Sequence, residues 1–415
     1  RASRVALGTL GRGKGVGTSR AATRGRNALL VIQLALTVVL LVGAGLLVRT
    51  VSALRSVDVG YRPEGLVAAR IYLDSGRYRS AQEIREYFDR LLERVRAVPG
   101  VDVAGLTSAL PMDPVAANFD LPTRSDEMEG QAWGEVPQAD FRIVGPALME
   151  TLGFRVLQGR TLTLADRPDA PPVALVNRSL AAVFWPGEDA VGRRIESVWR
   201  QGSWFEVVGV VEDTRFYGPD RASRPELFVP FAQMTYSSMT VVARTGGDVG
   251  AAQRAVEQAV IDTDPMLPPQ EVFQVETLVD ATTASERFYA TLLTGFAALA
   301  LTLAAAGVYG VLAYAVRLRT RELGVRLALG AGRDEVVGMV VREAILLAAA
   351  GTAVGIAAAV PATKIVAGML FGVEPTDPLT LVGVGVVLSL VAGAACVQPA
   401  FRASRLDPAR VLREE

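Results

Sequence analysis

Four long apolar stretches stand out in a chain that is otherwise mixed: Ala28 to Val48, Phe288 to Val316, Ala344 to Phe371, and Leu379 to Val397. The first has Gln33 and Thr37 as its only polar side chains and, as a helix, reaches about 31 Å, enough to cross a bilayer core. A cleavable signal peptide is the competing reading, but the run is long, the chain ahead of it is long, and no small-residue cleavage pattern follows. The second stretch is free of charge and longer than a span needs, which predicts tilt or projection. The third runs to Val360 and continues past Pro361 towards Phe371, with Lys364 expected to snorkel. No uninterrupted span holds an ionisable residue, so an intramembrane proton or ion relay has no candidate.

Between Arg49 and Arg287 the pattern changes to that of an α/β domain. Gly65 to Leu73 is strand-like. Ser80 to Val98 follows as an amphipathic helix with Ile84, Phe88, Leu91, Leu92 and Val95 on one face. Pro99-Gly100 stops it, and Val101 to Leu106 supplies a second strand. The same β-α-β order recurs in Met239 to Ala243, Val249 to Asp262 and Glu271 to Val275, and the two units are expected to be halves of one packed subdomain. The middle is β-rich. Val173 to Val176, Phe205 to Val211 and Glu226 to Val229 are short apolar or β-branched runs, expected to form a smaller second lobe.

Charge then orients the chain. Residues 49 to 287 hold 34 acidic and 25 basic side chains, and the remainder 9 and 18. The lead-in before Ala28, the segment after Val316 and the tail after Val397 all carry arginine clusters, whereas the loop Gly372 to Pro378 has Glu374 and Asp377 and no basic residue. The positive-inside rule therefore predicts an N-in, C-in protein with residues 49–287 extracytoplasmic. The expected fold is a membrane protein: four transmembrane helices plus a large extracytoplasmic α+β domain of two lobes, β-α-β units and a β-rich lobe, between helices 1 and 2.

Much chemistry is excluded. Histidine is absent and Cys396 is the only cysteine, which removes disulfides within the chain, a Cys/His zinc site and any histidine-based triad. Gly8-x4-Gly13-Lys14 approaches a phosphate loop but has Gly15 where Ser or Thr would hold Mg²⁺, and no buried strand precedes it. The sequon Asn177-Arg178-Ser179 is nearly unspecific. Glu212-Asp213 and Asp126-Glu127 read as solvated loop charges or strand-end caps rather than acid/base pairs. Catalytic, cofactor-binding and metal residues are therefore expected to be none, and no basic patch with interleaved aromatics points to nucleic acid.

What remains is the basic, amphipathic segment Arg317 to Arg333 between two apolar runs. Leu323 and Leu327 lie on one side of a surface helix, with Arg319 and Arg326 on the other. Glu322 stands four residues before Arg326, in the favoured order for a helical ion pair. Gly330 would end this helix and Asp334 would cap the next. Small residues at Gly307, Gly310, Gly351 and Gly355 predict close helix packing, inside the bundle or against a second copy.

These motifs carry a resemblance. Arg319, Arg321, Glu322, Leu323, Gly324, Arg326, Ala328, Leu329, Gly330 and Ala331 resemble the run R-x-R-E-[IL]-G-x-R-x-A-L-G-A of MacB/FtsX-like ABC transporter permeases. The closing residues Pro399-Ala400, Arg402-Ala403, Arg405, Asp407-Pro408 and Leu412-Arg413 are similar to the end of that family. Gly153 to Gly159-Arg160, Val176-Asn177, Phe184-Trp185-Pro186-Gly187 and Val207 to Val211 resemble the extracytoplasmic domain of its duplicated members. The opening Arg1 and the single four-span unit suggest a C-terminal half of such a permease or a truncated gene product.

The resemblance implies the following layout: lead-in 1–27, helix 1 at 28–48, a MacB-like periplasmic core domain at 49–287, helix 2 at 288–316, a cytoplasmic coupling segment at 317–343, helices 3 and 4 at 344–371 and 379–397, and a tail at 398–415. It makes Arg319, Arg321, Glu322, Gly324, Arg326 and Gly330 the surface that docks on an ATPase. The chain itself binds no cofactor in this view, and ATP is hydrolysed by a partner ABC ATPase subunit. The other implied partners are a second permease copy or half, membrane lipids and a periplasmic adaptor. The implied function is transmission of ATP-driven motion to the outer domain of a bacterial inner-membrane permease for efflux or envelope export. An FtsX-like regulator of envelope enzymes with no transported substrate is the alternative, and a membrane-tethered envelope enzyme is the weakest reading.

Overall fold

The apolar and mixed stretches fold as two units, divided between Ala53 and Leu54 and between Ala284 and Ser285. The computed structural model describes residues 20–116, 118–318, 320, 333–365 and 367–404. In chain order these form α1 (Arg20–Arg55), β1 (Leu66–Tyr72), α2 (Ala81–Arg96), β2 (Val101–Thr107), β3 (Phe119–Ser125), β4 (Gln138–Val144), α3 (Leu148–Leu152), β5 (Val156–Gly159), β6 (Val173–Asn177) and α4 (Arg178–Phe184). There follow β7 (Arg194–Ser197), β8 (Phe205–Val211), β9 (Glu226–Pro230), β10 (Ser238–Thr245), α5 (Val249–Thr263), β11 (Glu271–Gln274), α6 (Glu276–Thr282), α7 (Ala284–Leu318), α8 (Arg333–Ile365) and α9 (Pro378–Ser404).

The helical unit is built on α1. Leu30, Leu34, Val38, Val42 and Leu46, four residues apart, form a buried stripe that clusters with Ala304, Val308 and Leu312 of α7, Ala344 and Ala359 of α8, and Leu388 and Cys396 of α9. A repeat of four keeps one face turned to the neighbours over more than four turns. Parts of α1, α7, α8 and α9 are long and apolar enough to cross a membrane. Helices α1, α7 and α9 outrun their apolar stretches at both ends and α8 does so at its start, because the charged residues at the flanks, such as Arg24, Arg49 and Glu286, are compatible with helix. The third stretch is corrected at its far end. Helix α8 passes through Pro361 but ends at Ile365, a 3-10 turn covers Ala367–Met369, and Gly372 takes a φ of 65°. Residues 367–371 therefore lie beyond the helix, in a turn that leads to left-handed Gly372.

In the sheet unit the two β-α-β halves interleave as β11-β1-β10-β2, all antiparallel. This is a split β-α-β arrangement, with α2 and α5 on one face. Alternation along β1 sends Val67, Ala69 and Ile71 into the core with Phe88, Leu91 and Val256, and Leu66 and Ala68 into a second core with Leu148 and Leu152. With both faces covered, β1 reads as an apolar run broken only by Arg70.

The second lobe is inserted between β2 and β10. The expected strands β6, β8 and β9 are neighbours there, and β3, β4 and β7 complete a closed ring, β4-β3-β7-β8-β6-β9, shut by the parallel pair β4–β9. The inserted lobe is the longer of the two, not the smaller. It is also not separate, because β2 and β4 pair at Thr107 and Val144 and so join both lobes in one hydrogen-bonded sheet. The sequence hides β3 and β4 because Pro122 interrupts one while Asp140 and Arg142 sit in the other, and all three side chains signal loop to a pattern reading.

Candidate coupling site

Arg319, Arg321, Glu322, Gly324, Arg326 and Gly330 lie outside the described residues, as do Gly8, Gly13, Lys14 and Gly15. The described structure supplies the shoulders of the coupling segment: α7 runs to Leu318 and α8 begins at Arg333, so the segment links two helices of one unit directly.

Those helices meet α1 through glycines. A methyl group added to Gly351 would come within 2.5 Å of Leu34 Cβ, and one on Gly355 within 2.5 Å of Val38 Cβ and 3.0 Å of Ala35 Cα. Both clashes involve atoms close to a backbone, so α8 could not accept a side chain there without moving. On Gly307 the same methyl would stand 3.0 Å from Gln33 Oε1 and 3.1 Å from Leu30 Cδ1. Thr37 Oγ1, the other polar group of the span, donates to Gln33 O at 2.8 Å and faces Ala300 O of α7 at 3.4 Å. Gly310 is different: a side chain there would meet nothing within 4 Å, so its place is not set by packing inside this bundle.

The sheet unit holds the polar motifs singled out in the sequence. Asn177 is fully buried. Its Oδ1 accepts from Leu180 N and Glu226 N, both at 2.9 Å, and its Nδ2 donates to Arg224 O at 2.7 Å. The sequon asparagine is thus a helix cap with its amide consumed internally. Asp213 accepts from Ser179 N and Oγ at 2.8 and 2.9 Å, a strand-end carboxylate bound to the first turn of α4. Glu212 pairs with Arg155 and Arg178, and Asp126 and Glu127 face Arg194 and Arg193. These are surface ion pairs, not acid/base constellations. Among the described residues no group of His, Cys, Asp and Glu is arranged to hold a metal ion.

A buried charge cluster was not anticipated. Asp140 and Glu226 are register partners across the β4–β9 seam, and Arg142 stands beside them; none is more than 1% exposed. Arg142 Nη2 lies 3.2 Å from Asp140 Oδ2 and its Nε 3.5 Å from Glu226 Oε1, at ion-pair distance but without hydrogen-bond alignment. Its Nη1 donates to Asn118 Oδ1 at 2.6 Å, and its guanidinium lies 3.6 Å from the centre of the Phe216 ring. Tyr217 donates to Asp140 at 2.8 Å and Thr214 to Glu226 at 3.0 Å. Burial pushes the Glu226 carboxyl up to about 7, against the pull of Arg142 and Thr214. The only sequence signal was an Asp and an Arg two apart in a segment that otherwise alternates like a strand.

Among the described residues four helices are long and apolar enough to cross a membrane, with a large α+β domain between the first and second in the chain. The family model described as the MacB-like periplasmic core domain matches residues 28–259, and that described as the FtsX-like permease C-terminal matches residues 294–408. The chain belongs to the MacB/FtsX-like family of ABC transporter permeases. It is 24% identical over 299 residues to the uncharacterized ABC transporter permease YknZ of Bacillus subtilis (strain 168), covering 70% of this chain and 74% of that one. It is 26% identical over 281 residues to the pyoverdine export ATP-binding/permease protein PvdT of Pseudomonas syringae pv. syringae (strain B728a), covering 63% of this chain but 40% of PvdT. The crystal structure of the periplasmic region of MacB from Actinobacillus actinomycetemcomitans aligns over 54% of this chain and 94% of that one, at a TM-score of 0.37 and 13% identity.

Proposed function

We propose that the chain is the transmembrane subunit of a MacB-like ABC-type system that passes the ATP-driven motion of a partner ATPase to its own outer domain for efflux or envelope export. The observation that carries this reading is the continuity of α1, one unbroken helix from Arg20 to Arg55 that runs from the helical unit into the first residues of the sheet unit. A helix is stiff along its axis, so a displacement at one end reaches the other. Helix α7 starts at the opposite boundary and ends at the coupling segment.

In this reading Arg319, Arg321, Glu322 and Arg326 grip the ATPase, with Gly324 and Gly330 allowing close approach and a helix stop. Both termini lie in the cytoplasm, residues 49–287 lie outside the inner membrane, and this chain hydrolyses nothing itself. The arginines flanking α1 at its start and α9 at its end, with Glu374 and Asp377 at the other end, support that orientation. The export named for PvdT supports efflux over an FtsX-like role without cargo.

The test is the triple variant Arg321→Ala, Glu322→Ala, Arg326→Ala, assayed with the co-expressed ATP-binding subunit. Stimulation of ATPase activity should fall by about tenfold or more, as expected for loss of charged anchors at an interface, while membrane insertion is unchanged. Wild-type stimulation in the variant would sink the coupling role.

A further inference from the structure

Helix α1 is free of charge from Asn27 to Val48 and then places Arg49 at the end opposite the arginine-rich lead-in. In the orientation proposed above, the positive-inside rule runs against an arginine at that end, and Arg49 has a local partner there. That partner is Asp377, the residue immediately before α9. Arg49 Nη1 donates to Asp377 Oδ2, and the same carboxylate accepts from Thr380 N and Thr380 Oγ1, both at 2.7 Å. The Asp377 side chain is 15% exposed and that of Arg49 41%.

The hydrogen bonds from Thr380, with the one from Arg49, hold the Asp377 carboxyl down at about 2, so it is a carboxylate at any physiological pH. A helix N-terminus would be capped by the Thr380 contacts alone. The link to Arg49 is additional and joins two helices.

Three more contacts flank it within the same unit. A methyl on Gly45 would come within 2.9 Å of Thr380 Cγ2, Phe371 N donates to Thr50 Oγ1 at 3.4 Å, and left-handed Gly372 lies where a methyl would meet Ala53 Cβ at 3.2 Å. Positions 45, 49 and 53 are four apart and share one stripe of α1. The stretch from Phe371 through Asp377 to the first turn of α9 is therefore laid along two turns of α1 and pinned by a charged pair at the centre. A slide of one helical turn, about 5.4 Å, would break every one of these contacts.

We propose that Arg49 and Asp377 form a clasp that makes the far ends of α1 and α9 move as one body, so that α9 follows whatever displacement α1 carries. The role of that displacement rests on the coupling reading above; the clasp itself does not.

The test uses the full chain in membranes with Cys396→Ser and a reporter pair, Thr50→Cys with Phe371→Cys, whose oxidative crosslinking reads whether the loop is seated on α1. Arg49→Gln and Asp377→Asn remove the charges while Asn keeps the helix cap. Each should lower the crosslinking rate by about two- to fivefold, as loss of a partly exposed ion pair allows. The double variant should be no worse than either single one, because both remove the same interaction. Arg49→Lys should keep the parental rate. Parental rates in both single variants, or additive losses in the double, would overturn the clasp. ATPase stimulation of the co-expressed subunit, measured in parallel, should fall in the same variants and not in Arg49→Lys. If the parent chain itself gives no stimulation, the coupling reading fails, while the crosslinking series still decides the clasp.

Discussion

Helix α1 meets α8 where Gly351 and Gly355 leave no room for a side chain, and strand β4 meets β9 where Asp140, Arg142 and Glu226 are buried together. Both junctions are tightly filled, but by opposite means. In the helical unit apolar neighbours gain little from mutual burial if lipid surrounds them, so close backbone approach and dispersion hold the helices, and the charged clasp sits at a helix end. In the sheet unit water drives burial, and the ring closes over charges that are tolerated because each meets a partner. Small residues should therefore be irreplaceable in one unit and charge balance in the other.

The chain has reporters for both halves of this comparison. All four tryptophans, at 133, 185, 199 and 204, lie in the sheet unit, and the single cysteine, Cys396, is 4% exposed in the helical unit. Tryptophan fluorescence and heat-triggered thiol labelling therefore follow the two units separately.

The largest effect is expected from Arg142→Ala. It leaves Glu226 buried without its cation and Asp140 with only Arg224 Nη1, 3.7 Å away, and should destabilise the sheet unit by about 3–5 kcal/mol. The fluorescence transition should move to lower temperature while Cys396 labelling stays put; an unshifted fluorescence transition would mean that the cluster does not hold the seam. Next comes Gly355→Leu, which drives a side chain into Val38 and the Ala35 backbone and should cost about 1–3 kcal/mol. Cys396 should label at lower temperature, fluorescence should not change, and Gly310→Leu should behave as the parent. Equal effects from Gly355→Leu and Gly310→Leu would defeat the packing argument.

The smallest effect is in pH. The Glu226 carboxyl sits near 7 in the folded chain, above its ordinary 4.5. Its contribution is therefore full below about 4.5 and is lost as pH rises through about 7. Between pH 5 and 8 the fluorescence transition should fall through this group, and Glu226→Gln should remove that part of the slope. An identical slope in the variant would show that Glu226 is not raised.

The apolar runs made four membrane-length helices legible, because length and hydropathy are properties of consecutive residues. The β-α-β halves were legible for the same reason, since the apolar, strand-like run Leu66 to Tyr72 and the amphipathic face of Ala81 to Arg96 are local. The family motifs, too, are short ordered strings. The ring was not legible. Its closing strand β4 carries Asp140 and Arg142, whose charges are satisfied by Tyr217, Glu226 and Asn118 from other parts of the chain, and no window of sequence contains both sides of such a balance. Gly351 and Gly355 were marked as packing residues by type, but which glycines face α1 and which, like Gly310, face nothing depends on helix rotation. Arg49 and Asp377, separated by most of the chain, each looked like an ordinary flanking charge. Local pattern determined the elements and their class; only tertiary structure decided which polar groups are buried and paired, because burial and electrostatic compensation depend on distance in space, not along the chain.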